Sequence, residues 1–536
     1  MDVVFVLHSH LPYVLNHGRW PHGSDWLCEA AVHSYLPLLE QLLRLEDENT
    51  PTPMTLGITP ILANQLGHPA FRRELEDYFE HRIAAAEKAI RTFQASGETE
   101  LAPVAEYWQR RYHRLADCFG RLDGDLITAF RRLEDRGRLE LLGSAATHGM
   151  LPLLGRDESI RLQLLLGRQE HQRTFGRAPR GCWLPECAYR PAGRWAPLPK
   201  APSHLRRVGL EDHLAHAGFQ FFLTDSHLAH AGRAHEVYAT QKLERELLPV
   251  PSADPPQHTP YSSYRLFSRP SLGVLIRDPV ATRQVWSRYE GYPGDAAYLE
   301  FHKIRWPEGL RLWRVSAPKS DLADKQPYRP DAARRRASLH ARHFVSLLGE
   351  TARDQGTSDG AIVAPFDTEL FGHWWHEGPE FLSQTWQVMS RHAGVTAATA
   401  SRYLTQHPPE LALSLEEGSW GANGDFSMWM NPKTEWMWLR MWDLEAAFWN
   451  ATPDAISNAA AHPALEQAAR ELLLAQASDW PFIVSTGAAA DYAEQRFTGH
   501  CDRVAALLRG LGSGELESAT RMADEFRRQD DVFPEV

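Results

Sequence analysis

Two carboxylates stand in unusually similar surroundings. One is Glu186, in Trp183-Leu-Pro-Glu186-Cys-Ala-Tyr189. The other is Asp367, in Ala364-Pro-Phe-Asp367-Thr-Glu369-Leu-Phe-Gly-His373-Trp-Trp-His376. Each follows a short apolar run and is flanked by Trp and Pro. A lone carboxylate at the end of such a run is most often a helix cap or an ion-pair partner. Two of them among aromatic residues fit a different chemistry. Breaking a glycosidic bond needs one carboxylate to attack and a second acid to protonate the leaving oxygen. A rival reading uses histidines. His8-Ser-His10 would place both rings on one face of a strand, and His148 follows a later run. Together His8, His10 and His148 could hold a divalent metal for a carbohydrate hydrolase or deacetylase. No acidic ligand sits beside His8-Ser-His10, and in His373-Trp-Trp-His376-Glu377 the Glu follows the second His, unlike HExxH. The favoured reading needs no metal and no cofactor.

Elements must bring these residues together. Apolar runs at 3–7, 55–62, 139–145, 181–186, 219–225, 274–278 and 361–367 read as strands buried on both faces. Helical patterns separate them, which predicts an α/β fold with a parallel sheet. Candidate residues lie at the C-terminal ends of several strands, as in a TIM-like barrel. A doubly wound sheet is the alternative. The segment 66–122 carries long amphipathic, charge-alternating helices and reads as a helical insertion. Beyond about residue 408 the texture changes to Trp-rich helical patterns. The organisation expected is a catalytic barrel over 1–65 and 123–408, the insertion over 66–122, and a helical C-terminal domain over 409–536 that contributes to the cleft. The Pro-rich stretch 190–202 and the segment 229–262 read as loops, the second a candidate lid carrying Tyr238.

Composition narrows the function class. The chain has 536 residues and a formal net charge of −11, which disfavours nucleic acid as a partner. No run approaches the roughly 20 apolar residues of a membrane helix, and the start has no basic, cleavable leader, so a cytoplasmic protein is expected. The five cysteines are odd in number and scattered, and read as reduced thiols. The 18 Trp suit sugar recognition, because aromatic faces stack on sugar rings, although any single Trp is more often core.

Five ordered motifs then carry a resemblance. They are His8-Ser-His10-Leu-Pro-Tyr; Gly57-Ile-Thr-Pro60-Ile-Leu-Ala-Asn-Gln65-Leu; Trp183-Leu-Pro-Glu186-Cys-Ala-Tyr189-Arg-Pro; Ala364-Pro-Phe-Asp367-Thr-Glu-Leu-Phe-Gly-His-Trp-Trp; and Glu417-Gly-Ser419-Trp420-Gly. The chain resembles glycoside hydrolase family 57, and within it the 1,4-α-glucan branching enzymes. The match runs from near residue 1 to Ala477-Ser-Asp479-Trp480. The resemblance implies a distorted, incomplete (β/α)7 barrel and a retaining mechanism. Glu186 would be the nucleophile and Asp367 the general acid/base. His10, His148, Arg277, Trp286, Trp420, Trp429 and Asp479 would bind substrate or hold the nucleophile. Tyr238 would shield the covalent intermediate from water. The implied partner is α-1,4-glucan such as amylose or glycogen, handled by a monomer or weak homo-oligomer, with no membrane. The loop after Tyr238 is longer than the family pattern, which leaves an α-glucan hydrolase as the alternative. A glucan-binding protein without catalysis is a third reading, opposed by the intact Glu186 and Asp367.

Overall fold

The computed structural model describes residues 1–198, 206–231, 258–287, 290–317, 319–392 and 394–536. Seven parallel strands form its centre: β1 (Asp2–Ser9), β2 (Thr55–Ile58), β3 (Glu140–Ser144), β4 (Gly181–Trp183), β5 (Phe221–Thr224), β6 (Gly273–Ile276) and β7 (Ala361–Asp367). Their order is β7-β1-β2-β3-β4-β5-β6. The ring closes through one parallel bridge from Arg277 to Val363, with the Asp278 N–H donating to the Val363 carbonyl at 2.8 Å. This is a distorted, incomplete (β/α)7 barrel.

The side-chain period of two sorts the strands into two cores. On β1, Val3, Phe5 and Leu7 join a core shared with Ile362, Ala364 and Phe366 and with the outer helices. Val4 and Val6 face a second core with Val363, Leu142 and Cys182. Val4 is paired with Val363, Val6 with Pro365 and His8 with Asp367. The inward rows are thus apolar low in the barrel and polar at its C-terminal rim.

Some elements differ from the sequence expectation. The run 55–62 is not one strand. It ends at Ile58, because Pro60 opens a helix, Pro60–Leu66, at the position where proline's fixed φ and missing N–H cost least. β4 stops at Trp183, so Glu186 lies three residues past the strand. The stretch 190–202 contributes Gly193–Arg194 to a short antiparallel ribbon with Arg206–Arg207. Further short strands join the sheet: Tyr264–Leu266 antiparallel to β6, Leu411–Leu413 beside it, and the two-residue Thr396–Ala397 beside β1. The first two are only three residues long each. Tyr238 and most of the loop around it lie outside the described residues.

Helices Pro69–Ser96 and Ala102–Arg121 form an antiparallel pair. Phe71, Leu75, Phe79, Ala86 and Phe93 make a buried stripe on the first; Trp108, Tyr112, Leu115 and Phe119 answer on the second. Each large buried side chain contributes about 1.5–3 kcal/mol.

The C-terminal helices are Glu435–Ile456, His462–Ala475, Asp479–Thr486, Ala490–Ser513 and Leu516–Gln529. The first docks onto the loop and helix start after β3. Trp442 donates to the Leu153 carbonyl and Trp449 to Ser159 Oγ, both at 2.8 Å. Buried Glu445 accepts from the Gly155 N–H at 2.6 Å. Those tryptophans therefore serve docking, with apolar body and polar N–H both used. Among the described residues, no helix is long and apolar enough to cross a membrane. All five cysteines are buried and free.

Candidate active site

The site grows from strand ends. β1 delivers His8 and leads to His10; β7 ends on Asp367. Their register makes His8 and Asp367 neighbours on the inward face. After β3, His148 sits in the left-handed region at φ 56°. After β4, Glu186 and Cys187 do the same at φ 62° and 48°. For such residues each excursion costs on the order of 1–3 kcal/mol and must be held by its surroundings. The holding comes largely from later in the chain. The Trp420 N–H donates to the Glu186 carbonyl at 3.1 Å, and the Ser478 N–H to the His148 carbonyl at 3.0 Å. Tyr189 and Gly418 exchange two backbone bonds that fix the approach of Trp420.

The Glu186 carboxyl is buried and accepts two hydrogen bonds. Trp420 Nε1–H reaches one oxygen at 2.9 Å, and Ser478 Oγ reaches the other at 3.0 Å. Burial pushes its pKa up to about 7, against the lowering effect of those two donors; the nearby Asp479 charge adds to the rise. Behind Ser478 stands His148, with Nδ1 2.9 Å from the hydroxyl. Behind His148 stands His8, the two Nε2 atoms 2.9 Å apart. His8 stacks on Trp183 with ring centroids 4.6 Å apart. Burial holds both histidines well below their ordinary pKa, so both are neutral.

His10 lies over His148 with centroids 4.0 Å apart. Its Nε2 meets Asp479 Oδ2 at 2.8 Å and its Nδ1 meets Thr59 Oγ1 at 3.0 Å. Asp367 shares its field with Glu186, since both charges act on the buried Cys187 thiol. Glu369, two residues after Asp367, is a third buried carboxyl. It accepts from Tyr35 at 2.5 Å and from the His10 N–H at 3.2 Å, and burial raises it to about 7.

The remaining expected residues separate into groups. Glu186, His10, His148, Trp420 and Asp479 gather around one point. Arg277 is buried and pairs with Asp225 at 2.6 Å and Thr282 at 3.0 Å; its guanidinium lies 5.6 Å from the Trp420 ring. It is placed to brace Trp420. Trp286 is half-buried, 6.3 Å from the exposed ring of Trp374. Trp420 and Trp429 do not form an open aromatic wall. They are 1% and 0% exposed. Trp420 spends its N–H on Glu186, and Trp429 packs against Gly421, where a Cβ would fall 2.6 Å from its ring. Ser478 is not among the residues the sequence singles out. It stands at the start of the helix Asp479–Thr486 and makes no side-chain cap. In the sequence it reads as an ordinary helix-start serine.

His10, His148 and Asp479 offer three ligand atoms within 4.8 Å of one another. Both His148 nitrogens have hydrogen-bond partners, in His8 and Ser478. His8, the third ligand of the rival reading, stands beside this group, with Asp479 taking its place among the three.

Comparison with known proteins places this arrangement. The sequence profile of glycosyl hydrolase family 57 matches residues 4–416. A second profile, that of the 1,4-α-glucan branching enzyme C-terminal region, matches residues 437–536. A 1,4-α-glucan branching enzyme of Thermococcus kodakarensis is 38% identical over all of this chain and 77% of its own length. The crystal structure of a family 57 branching enzyme from Pyrococcus horikoshii superposes with a TM-score of 0.90 at 34% identity, covering 100% of this chain and 96% of that one. The α-amylase AmyC of Thermotoga maritima superposes at 0.82 with 26% identity, covering 100% and 98%. Fold, site and sequence agree that the chain belongs to glycosyl hydrolase family 57.

Proposed function

We infer that the chain is a 1,4-α-glucan branching enzyme acting with retention through a covalent glucosyl-enzyme on Glu186. The Glu186 carboxylate attacks the anomeric carbon of an α-1,4 bond while Asp367 gives a proton to the departing O4. The 6-hydroxyl of a second glucan then yields its proton to Asp367, and its oxygen takes the glucosyl from Glu186, making an α-1,6 bond. The observation that carries this reading is the C-terminal match over 437–536. That segment supplies Ser478, which bonds Glu186, and Asp479, which bonds His10. We place the activity in glycogen biosynthesis in the cytoplasm, on amylose or glycogen, by a monomer or weak homo-oligomer.

A second reading, an α-glucan hydrolase, is favoured by the likeness to AmyC. It uses the same two carboxylates, with water in place of the 6-hydroxyl. Water exclusion during the life of the intermediate separates the two, and Tyr238 is our candidate for that task. Incubation with amylose decides between them. Many new α-1,6 links with few new reducing ends are expected; many reducing ends and few branches would establish the hydrolase instead.

A further inference from the structure

We propose that His8, His148 and Ser478 form a hydrogen-bond chain of fixed direction that ends on Glu186 and holds its carboxylate ionised for attack. None of the three need touch substrate: they are positioning residues. The proposal rests on Glu186 being the nucleophile.

The direction follows from counting protons. The chain has three short links: His8 Nε2 to His148 Nε2 at 2.9 Å, His148 Nδ1 to Ser478 Oγ at 2.9 Å, and Ser478 Oγ to Glu186 Oε1 at 3.0 Å. A neutral imidazole carries one N–H and one bare nitrogen. A serine hydroxyl has one hydrogen to give. One proton therefore sits in each link, and choosing any one fixes the others. Two arrangements exist.

In the first, His8 Nε2–H donates to His148, His148 Nδ1–H donates to Ser478, and Ser478 O–H donates to an ionised Glu186. His8 Nδ1 is then a bare lone pair. In the second, every link runs backwards. Glu186 must carry a proton and donate to Ser478, and His8 must carry its proton on Nδ1.

His8 Nδ1 decides between them. It is buried and, among the described residues, has no hydrogen-bond partner. It faces Gly57, where a Cβ would lie 3.5 Å away. His8 is 3% exposed, and Trp183 covers one face of its ring. The second arrangement would bury an N–H with nothing to accept it, a costly omission in a protein interior. The first leaves only an idle lone pair. The Trp420 indole N–H donates to the second Glu186 oxygen in either arrangement, so it does not choose between them.

Other charges face Glu186 as well. Asp479 from the C-terminal segment and His10 from the β1 end act on it; Asp367 from β7, and Asp225 with Arg277 from the ends of β5 and β6, act on the adjacent Cys187. Asp479 acts against ionisation and His10 favours it. The chain from His8 is the one contribution whose sign is set by a tautomer.

Neutron diffraction on crystals of the deuterium-exchanged wild-type protein at pH 8 tests the arrangement directly. Deuterium on His8 Nε2 and His148 Nδ1, with none on Glu186, is expected. Deuterium on His8 Nδ1, or on Glu186 Oε1, would overturn the proposal, and this readout does not depend on activity. Failure of the nucleophile assignment shows separately, as retained turnover in Glu186→Ala. The consequence is read in kcat/KM against pH. Ser478→Ala and His8→Phe should each move the acidic limb up by about one pH unit, since a hydrogen bond to a charged group is lost or weakened. Ser478→Thr should restore it. A limb that stays in place in Ser478→Ala overturns the proposal whatever happens to kcat. If the variants do not fold, the neutron result on the wild type decides alone.

Discussion

Glu186 is asked to do two things that conflict. As the proposed nucleophile it must be ionised, but burial favours its neutral form and lifts its pKa to about 7. The sign of the stability effect follows. In the unfolded chain the group titrates near 4.5. Between that value and 7 the folded protein binds the extra proton, so its stability declines as pH rises across this window. By pH 8 the ionised carboxylate costs on the order of 3 kcal/mol. Glu186→Gln removes that cost while keeping the shape. The amide oxygen can accept from Trp420 and the amide nitrogen can donate to Ser478, which reverses the chain to His8 and gives back part of that gain. We expect Glu186→Gln to lose turnover by at least about a thousandfold. We also expect it to unfold at a higher temperature than the wild type at pH 8, with no difference at pH 4. A variant that gains nothing at pH 8 would mean the carboxylate is not strained by burial. In the active enzyme the same titration should give an acidic limb in kcat/KM near pH 7.

At the scale of elements, the site depends on a short irregular segment more than on any strand. Residues 417–421 tie to the end of β4 through Tyr189 and Gly418 and carry Trp420 onto Glu186. Gly418 has φ 159°, and a Cβ there would meet the Gly424 carbonyl oxygen at 2.3 Å and Leu228 at 2.6 Å. Gly418→Ala should therefore cost about 1–3 kcal/mol by overpacking. It should reduce kcat/KM further than the stability loss accounts for, because Trp420 shifts. Urea unfolding and kinetics on the same sample check this; unchanged kinetics would show that Trp420 is not placed by this segment. The strands were legible beforehand because parallel strands buried on both faces leave unbroken apolar runs, as at 361–367. The helix stripes were legible from their period. Glu186 and Asp367 stood out because both ended such runs. What stayed hidden arises from tertiary approach. Ser478 meets Glu186 across 292 positions of sequence. Trp429 reads as a sugar platform until Gly421 is seen lying against it. The break at Pro60 is readable in principle: the run 55–62 stays apolar past Ile58, but proline opens a helix there.

At the scale of the whole molecule, buried ionisable groups set how the fold responds to acid. Four carboxyls, Glu186, Glu369, Glu377 and Glu445, are raised by burial to about 7. Each of these gains stability as pH falls through 7, because the folded state holds the proton more tightly. Histidines push the other way. Burial holds His8, His33, His148 and His376 well below 6.5, and takes His17 and His373 to about 4 and His171 to about 3. A histidine kept neutral in the fold loses stability as pH falls below 6.5, since the unfolded chain takes up the proton first. His340 is likewise held at about 4, so the lowered histidines outnumber these four carboxyls and, among these groups, unfolding near pH 5 takes up protons on balance. Stability should therefore be greatest near pH 6.5–7 and fall steeply toward pH 5, before most carboxylates titrate. Thermal unfolding followed across pH 4–8, with proton uptake measured calorimetrically in two buffers of different ionisation heat, tests the balance. A transition temperature that is flat from pH 7 to pH 5, or proton release on unfolding at pH 5, would mean that the carboxyls outweigh the histidines. His33 gives the sharpest single check. It lies in contact with Trp108 of the helix Ala102–Arg121 at 5.7 Å between ring centroids. His33→Phe should reduce the proton uptake at pH 5 by about one, through the removal of one titrating group alone.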